Sequence, residues 1–377
     1  MNLSERLNET CGYTEQVTLS RFLYISFFGC IAAAGLLSNI VLLYIFATKR
    51  RNNNSPPNLY PAVLSFLDAM LCLLFLLMFV VDVQMLYWES YELFEIYHRY
   101  IVAVFAIAKL VQFLIPHLLI LATAERYTWI AKVQQRFIFF RPRGRILALS
   151  GVVVYAVVMR GHAMSAYKVE QFDLCPEPLR TLAVDAEPWA KEDIFATFDQ
   201  ILVSLSQTVF PFLVLSLLNT LIVIKLHAYD KNKQRSVDID EIPVLEKTDR
   251  KRGVLLKHRS LKLLHSLSLN RLPSDVRKSV FTMVAIVSTY MVCNVPHMIL
   301  SLLELTNSPM LKAEEDHFVA SEFYTILGDT VSILYMLSSA IRILIYMTIN
   351  RAIRNQVFLM FGIRRSATTA INRATGV

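Results

Sequence analysis

Seven separate stretches of this chain are long and apolar enough to cross a lipid bilayer as α-helices. They run over about 22–48, 60–87, 100–130, 146–167, 195–228, 277–304 and 322–349. A hydrocarbon core about 30 Å thick needs about 20 mainly apolar residues per helix. In lipid each span must satisfy its own backbone polar groups, which leaves only helices and closed barrels. Strand-like alternation nowhere runs far enough for a barrel. No internal duplication points to the inverted repeats of a transporter. The predicted fold class is an all-α membrane protein, a seven-transmembrane helix bundle. The fourth span is the weakest, because Arg160 and His162 interrupt its second half. Composition agrees, since a chain 55% hydrophobic and only 18% charged is too apolar for an ordinary soluble protein. The first apolar run begins near Phe22 and is of spanning length, so no cleavable leader is expected.

Charge sorts with the spans. The stretches 48–59, 131–145, 225–278 and 350–377 carry 27 Lys/Arg against 7 Asp/Glu. The opposite stretches 1–21, 88–99, 168–193 and 304–322 carry 7 against 18. Positive loops belong on the cytoplasmic side. The expected arrangement is therefore an extracellular amino terminus over 1–21, a bundle over 22–349 with a long cytoplasmic loop at about 229–276, and a cytoplasmic tail over 350–377. Asn2 and Asn8 stand in glycosylation tripeptides on the outer side, which agrees with that orientation. The net charge of +8 is explained by this topology, so no nucleic-acid partner is expected. Neither a metal nor a cofactor is expected. The five cysteines lack metal-site spacing, and no hydrolase or protease motif marks an enzyme.

Polar residues within the spans supply the functional candidates, because a charge at mid-membrane is costly and usually functional. Glu125-Arg126-Tyr127 closes the third span. Asn39 lies in the first, and Leu64 and Asp68 lie in the second. Pro211 interrupts the fifth and Cys293-Asn294-Val295-Pro296 the sixth, and Tyr346 ends the seventh. Proline inside a span removes a backbone hydrogen bond and makes a hinge. This ordered set resembles the rhodopsin-type (class A) G-protein-coupled receptors over about 22–362. Cys-Asn-x-Pro together with Asn219 is similar to invertebrate FMRFamide-type neuropeptide receptors. The resemblance implies an extracellular ligand, a neuropeptide of the RF-amide type, and a heterotrimeric G protein as cytoplasmic partner. It also implies a short interfacial helix after span seven, where Arg351, Arg354, Phe358 and Phe361 alternate. The activation switch it implies comprises Glu125, Arg126, Tyr127, Asp68, Arg342, Tyr346, Pro211, Cys293, Asn294 and Pro296. A small-molecule chemosensory receptor of the same fold is the second reading, and a channel or transporter is a remote third.

The chain departs from the family at several places. No cysteine stands near Ile101 at the outer end of span three, Tyr155 is the aromatic of span four, and Asn294 replaces the sixth-span tryptophan. Arg342 and Ile343 replace an Asn-Pro pair, and Ile115 stands where a serine often helps the span-two aspartate to hold sodium. Two readings are open at Arg342. It pairs with Asp68 and supplants the ion, or it snorkels toward the interface near Tyr346 and Arg351. With the span-three cysteine missing, Cys11 and Cys175 are the two cysteines on the oxidising side. A bridge between them and two free thiols are both open.

Ligand candidates lie toward the outer ends of the spans: Asp82, Lys109, Gln112, Asp199, Gln207, His297, Glu304 and Asp329. Acidic side chains there attract a cationic ligand, although the loop acids also suit plain solvation. Lys109 suits either a buried acid or a ligand carboxylate, and His297 either a ligand or a helix–helix hydrogen bond.

Overall fold

The computed structural model describes Cys11 and residues 17–48, 58–131, 141–192, 197–198, 201, 204–240, 274–306, 308–311 and 321–360, with backbone alone at 142, 229–240 and 274–275. Among these residues 7 helices are long and apolar enough to cross a membrane. They are α1 (Leu19–Thr48), α2 (Leu59–Tyr87), α3 (Tyr91–Ile130), α4 (Pro142–Arg160), α5 (Phe210–Asp240), α6 (Ser274–Leu305) and α7 (Glu322–Ile349). A shorter α8 (Arg351–Met360) follows. The sequon asparagines Asn2 and Asn8, Asp199 and residues 241–273 of the long loop lie outside the described residues.

Several boundaries differ from the sequence reading, each for a local reason. α3 begins at Tyr91 rather than near 100, because the chain reverses in a tight turn through Glu89, which adopts φ 50°. Its 40 residues span about 60 Å at 1.5 Å per residue, twice the hydrocarbon thickness. α4 ends at Arg160, earlier than 167, passing into a 3-10 turn over Gly161–Met164. α5 continues to Asp240, beyond the expected start of the loop at 229. α7 is broken at Ile341 between Glu322–Ala340 and Arg342–Ile349, although Ile343 replaces the proline of the Asn-Pro pair.

The connection between α4 and α5 holds a two-stranded antiparallel hairpin that alternation in the sequence had not revealed. Its strands are β1 (Tyr167–Gln171) and β2 (Leu182–Ala186), paired from Tyr167↔Ala186 to Gln171↔Leu182. Cys175, in the hairpin's connecting loop, is disulfide-bonded to Cys11 with Cα atoms 4.9 Å apart. Lys191 Nζ lies 2.7 Å from Asp185 Oδ2 and holds that carboxyl below the usual carboxylate range.

α3 is the central helix, and its buried face runs from Phe94 to Ile130. Its middle joins Leu64 and Leu71 of α2, Leu215 of α5, Val287 of α6 and Tyr335 of α7 in the largest apolar cluster. α4 lies at the periphery, with Ala156 buried while Val154 and Val158 are exposed, as expected for a lipid-facing helix. α1 comes close to α7 at Gly35, where a Cβ would meet the Ala340 Cβ at 2.6 Å. Small residues at such crossings let backbones pack where lipid offers no hydrophobic driving force. In α8, Ile353 and Val357 are buried one turn apart. Asn350 Oδ1 caps its start by accepting from the Ala352 amide at 3.1 Å.

Candidate functional site

Toward the hairpin end, the proline of α5 organises a polar junction. Pro211 cannot donate to the turn before it, and that turn, Leu205–Val209, is a π-helix. The wider turn carries Gln207 and Thr208 into the bundle, where both are buried. Arg160, the last residue of α4, donates to Gln207 Oε1 from Nε at 3.2 Å and Nη2 at 2.6 Å. His297, next to Pro296 in α6, has Nδ1 3.1 Å from Thr208 Oγ1 and 3.1 Å from Tyr335 OH. One imidazole thus ties the π turn ahead of α5 to α6 and α7, and its tautomer decides whether Nδ1 accepts from a hydroxyl or donates to one. Lys109 Nζ sits 5.0 Å from the Phe105 ring centroid. Lys109 and Arg160 both act electrostatically on His297. Asn294, in place of an aromatic, turns back to donate to the Tyr290 carbonyl at 2.8 Å, and Cys293 beside it is buried.

The three described acidic candidates, Asp82, Glu304 and Asp329, lie nearer the hairpin and are each engaged. Glu304 Oε1 accepts from Tyr324 OH at 2.9 Å. Asp329 accepts from Arg21 Nε at 2.9 Å, which joins the start of α1 to α7. Asp82 acts on Tyr97 and Tyr100 across the α2–α3 interface. Gln112 is half-buried on α3. A cavity of about 490 Å³ opens between the start of α3 (Tyr91, Glu95, His98) and the hairpin (Gln171, Phe172, Asp173). Among the described residues, none of the ligand candidates from the sequence lines it.

At the opposite end, charged residues pair across helices. Arg342 Nη1, at the break in α7, donates to Asp68 Oδ2 of α2 at 2.5 Å, with side-chain exposures of 2% and 1%. Asn39 of α1 donates from Nδ2 to the Ser339 carbonyl at 3.1 Å, just ahead of that break. Glu125 Oε1 accepts from Arg145 Nε of α4 at 2.5 Å, whereas its Oε2 and Arg126 Nη1 are 3.5 Å apart. Tyr346 is buried, packs edge-on against Phe46 at 5.1 Å and acts electrostatically on Arg126. Tyr127 packs on an apolar cluster of Ile130, Ile222, Leu226, Val276 and Val280, where α3, α5 and α6 meet.

The sequence had not singled out Arg145, Arg21, Thr208, Tyr324 or Tyr335 as site residues. Arg145 offered no signal, because the sequence reading counted it with the basic loop 131–145 and only the structure places it within α4. The hydroxyls offered none, since Thr and Tyr are common in any bundle.

The chain matches the family described as 7 transmembrane receptor (rhodopsin family) over residues 38–356. It belongs to that family. No individual curated protein matches the chain. The receptor is accordingly a multi-pass plasma-membrane protein that answers an extracellular ligand and signals through a G protein. The sodium ion that the resemblance implied at Asp68 does not suit the residues present. The carboxylate is already bonded to a guanidinium, and the neighbouring Ile115 is apolar and 2% exposed. A second cation there would face Arg342 in a low dielectric.

Proposed function

We propose that the hairpin end of the receptor faces outward and binds a neuropeptide of the RF-amide type, and that Arg126 couples the bundle to the G protein. The observation that carries the ligand reading is a gradient of charge along the bundle. Glu304 and Asp329 lie near the hairpin, and below them come Gln207 and His297 with the cations Lys109 and Arg160. An arginine side chain suits the acidic mouth. A carboxamide offers its carbonyl to the cations and its amide hydrogens to carboxylate acceptors. The outward placement rests on the positive loops at the Arg126 end and the acidic ones at the other. Arg126 stands buried at the foot of α3 beside Tyr346 and the α5–α6 contact, where movement of α6 would uncover it.

The test is a cell reporter challenged with a library of amidated peptides and their free-acid counterparts. We expect peptides ending in Arg-Phe-amide to activate the full-length receptor and the free acids to be much weaker. Silence toward every peptide, with activation by small odorant-like molecules, would move the assignment to the chemosensory reading.

A further inference from the structure

Glu125 stands between two guanidinium groups borne by different helices. Arg145 of α4 holds it through a 2.5 Å hydrogen bond, and Arg126 of its own helix approaches only to 3.5 Å. The side chains of Glu125, Arg126 and Arg145 are 1%, 4% and 9% exposed. Attraction falls with separation and is strongest through a charge-assisted hydrogen bond, and burial enlarges the difference. One carboxylate neutralises one cation, so the hold of Arg145 on Glu125 is taken from the hold on Arg126. Arg145 also opposes the charge on Arg126 directly. The two effects have the same sign, and both urge Arg126 away from Glu125. The start of α6 is fastened by different means. Val276 and Val280 pack against Ile130, Ile222 and Leu226, so van der Waals packing holds α6 to α3 and α5.

We infer that Arg145 is a positioning residue for the switch. By drawing Glu125 toward α4 it loosens the restraint on Arg126, and so raises the fraction of receptor that opens without ligand. The inference rests on the reading of Arg126 as the coupling residue. It adds that the basal set point is decided from α4, by a residue outside the Glu-Arg-Tyr triplet.

The test uses the full-length receptor in cells and two readouts. One is ligand-independent G-protein activation per receptor at the surface. The other is the alkylation rate of a cysteine placed by Val276→Cys, since Val276 is only 2% exposed and becomes reachable when α6 parts from α3 and α5. Arg145→Gln should lower both, on the order of fivefold. Arg145→Lys keeps the charge but loses the guanidinium Nε, and should lower both by less. In a Glu125→Gln background, Arg145→Gln should lower both by much less than in the parent, because only the direct repulsion of Arg126 is left to lose. If Arg145→Gln does not reach the surface, the comparison of Arg145→Lys with the parent decides the sign. A purely structural Arg145 would reduce receptor number and leave both readouts per receptor unchanged, which overturns the inference; so does a rise in either. Alkylation lowered as expected with ligand-independent activation per receptor unchanged would overturn the Arg126 reading instead, so the two failures are distinguishable.

Discussion

Arg342 and Asp68, separated by 274 residues in sequence, meet through a 2.5 Å hydrogen-bonded ion pair with almost no exposure to solvent or lipid. The pair joins α7 to α2 at the break in α7, and one residue of it stands where relatives of this fold place an asparagine. An arginine at mid-membrane costs at least about 2.5 kcal/mol on insertion scales, and Asp68 supplies the compensating charge. The break helps, because α7 restarts at Arg342 and presents that side chain into the bundle.

Removing one member strands the other. Asp68→Asn and Arg342→Leu should each destabilise the receptor by about 3–5 kcal/mol, while the double variant recovers part of the loss. Thermal stability of purified receptor and surface expression measure this. Strictly additive losses would show that the two charges do not depend on each other. Sodium should leave agonist affinity unchanged, because Arg342 occupies the cation's place.

Arg126→Ala should abolish G-protein activation while receptor still reaches the surface. The side chain lies at the foot of α3 near Tyr346, away from the polar junction of Gln207 and His297. Unchanged signalling in a well-expressed variant would remove Arg126 from the coupling mechanism.

Cys11 and Cys175 should appear as a linked peptide pair in mass spectrometry without reduction. Cys11→Ser and Cys175→Ser should lower agonist potency equally, and the double variant should be no worse than either. Their common effect is to release the amino-terminal segment from the hairpin, 164 residues away in sequence. Unequal effects, or free thiols at both positions, would separate the bridge from ligand binding.

Gly35→Ala should impair folding by about 1–3 kcal/mol, the usual cost of overpacking. Its new methyl would meet the Ala340 Cβ at 2.6 Å and the Cys72 Sγ at 3.1 Å, pushing α1 from α7 and lengthening the Asn39 bond to the Ser339 carbonyl. Ala340→Gly on the facing helix should recover part of the loss. A full-strength Gly35→Ala receptor would show that the crossing has slack.

Much of the bundle was legible because a bilayer permits so few backbone solutions. A run of about 20 apolar residues bounded by charge can only be a span, so existence and order followed from Leu, Val, Ile and Phe content. Boundaries failed where local geometry intervened, as at the Glu89 turn before α3 and the 3-10 turn after Arg160. The hairpin was missed because strands of five residues over a bundle carry too few alternating positions to register.

Within the site, the sequence by itself determined which charges lie inside the spans and therefore need partners: Asp68, Lys109, Glu125, Arg126, Arg160 and Arg342. Tertiary structure alone decided who the partners are. Spacing along a helix gives a residue's depth, but pairing depends on the rotation and tilt of the neighbouring helix to within an ångström. At one depth Glu125 could have turned to its own neighbour Arg126 or to another helix, and the packing of α4 on α3 gave it to Arg145. At another, the π turn before Pro211 rotated Thr208 toward His297 and Gln207 toward Arg160. A one-dimensional pattern holds no record of that rotation, because it arises from packing between segments far apart in the chain.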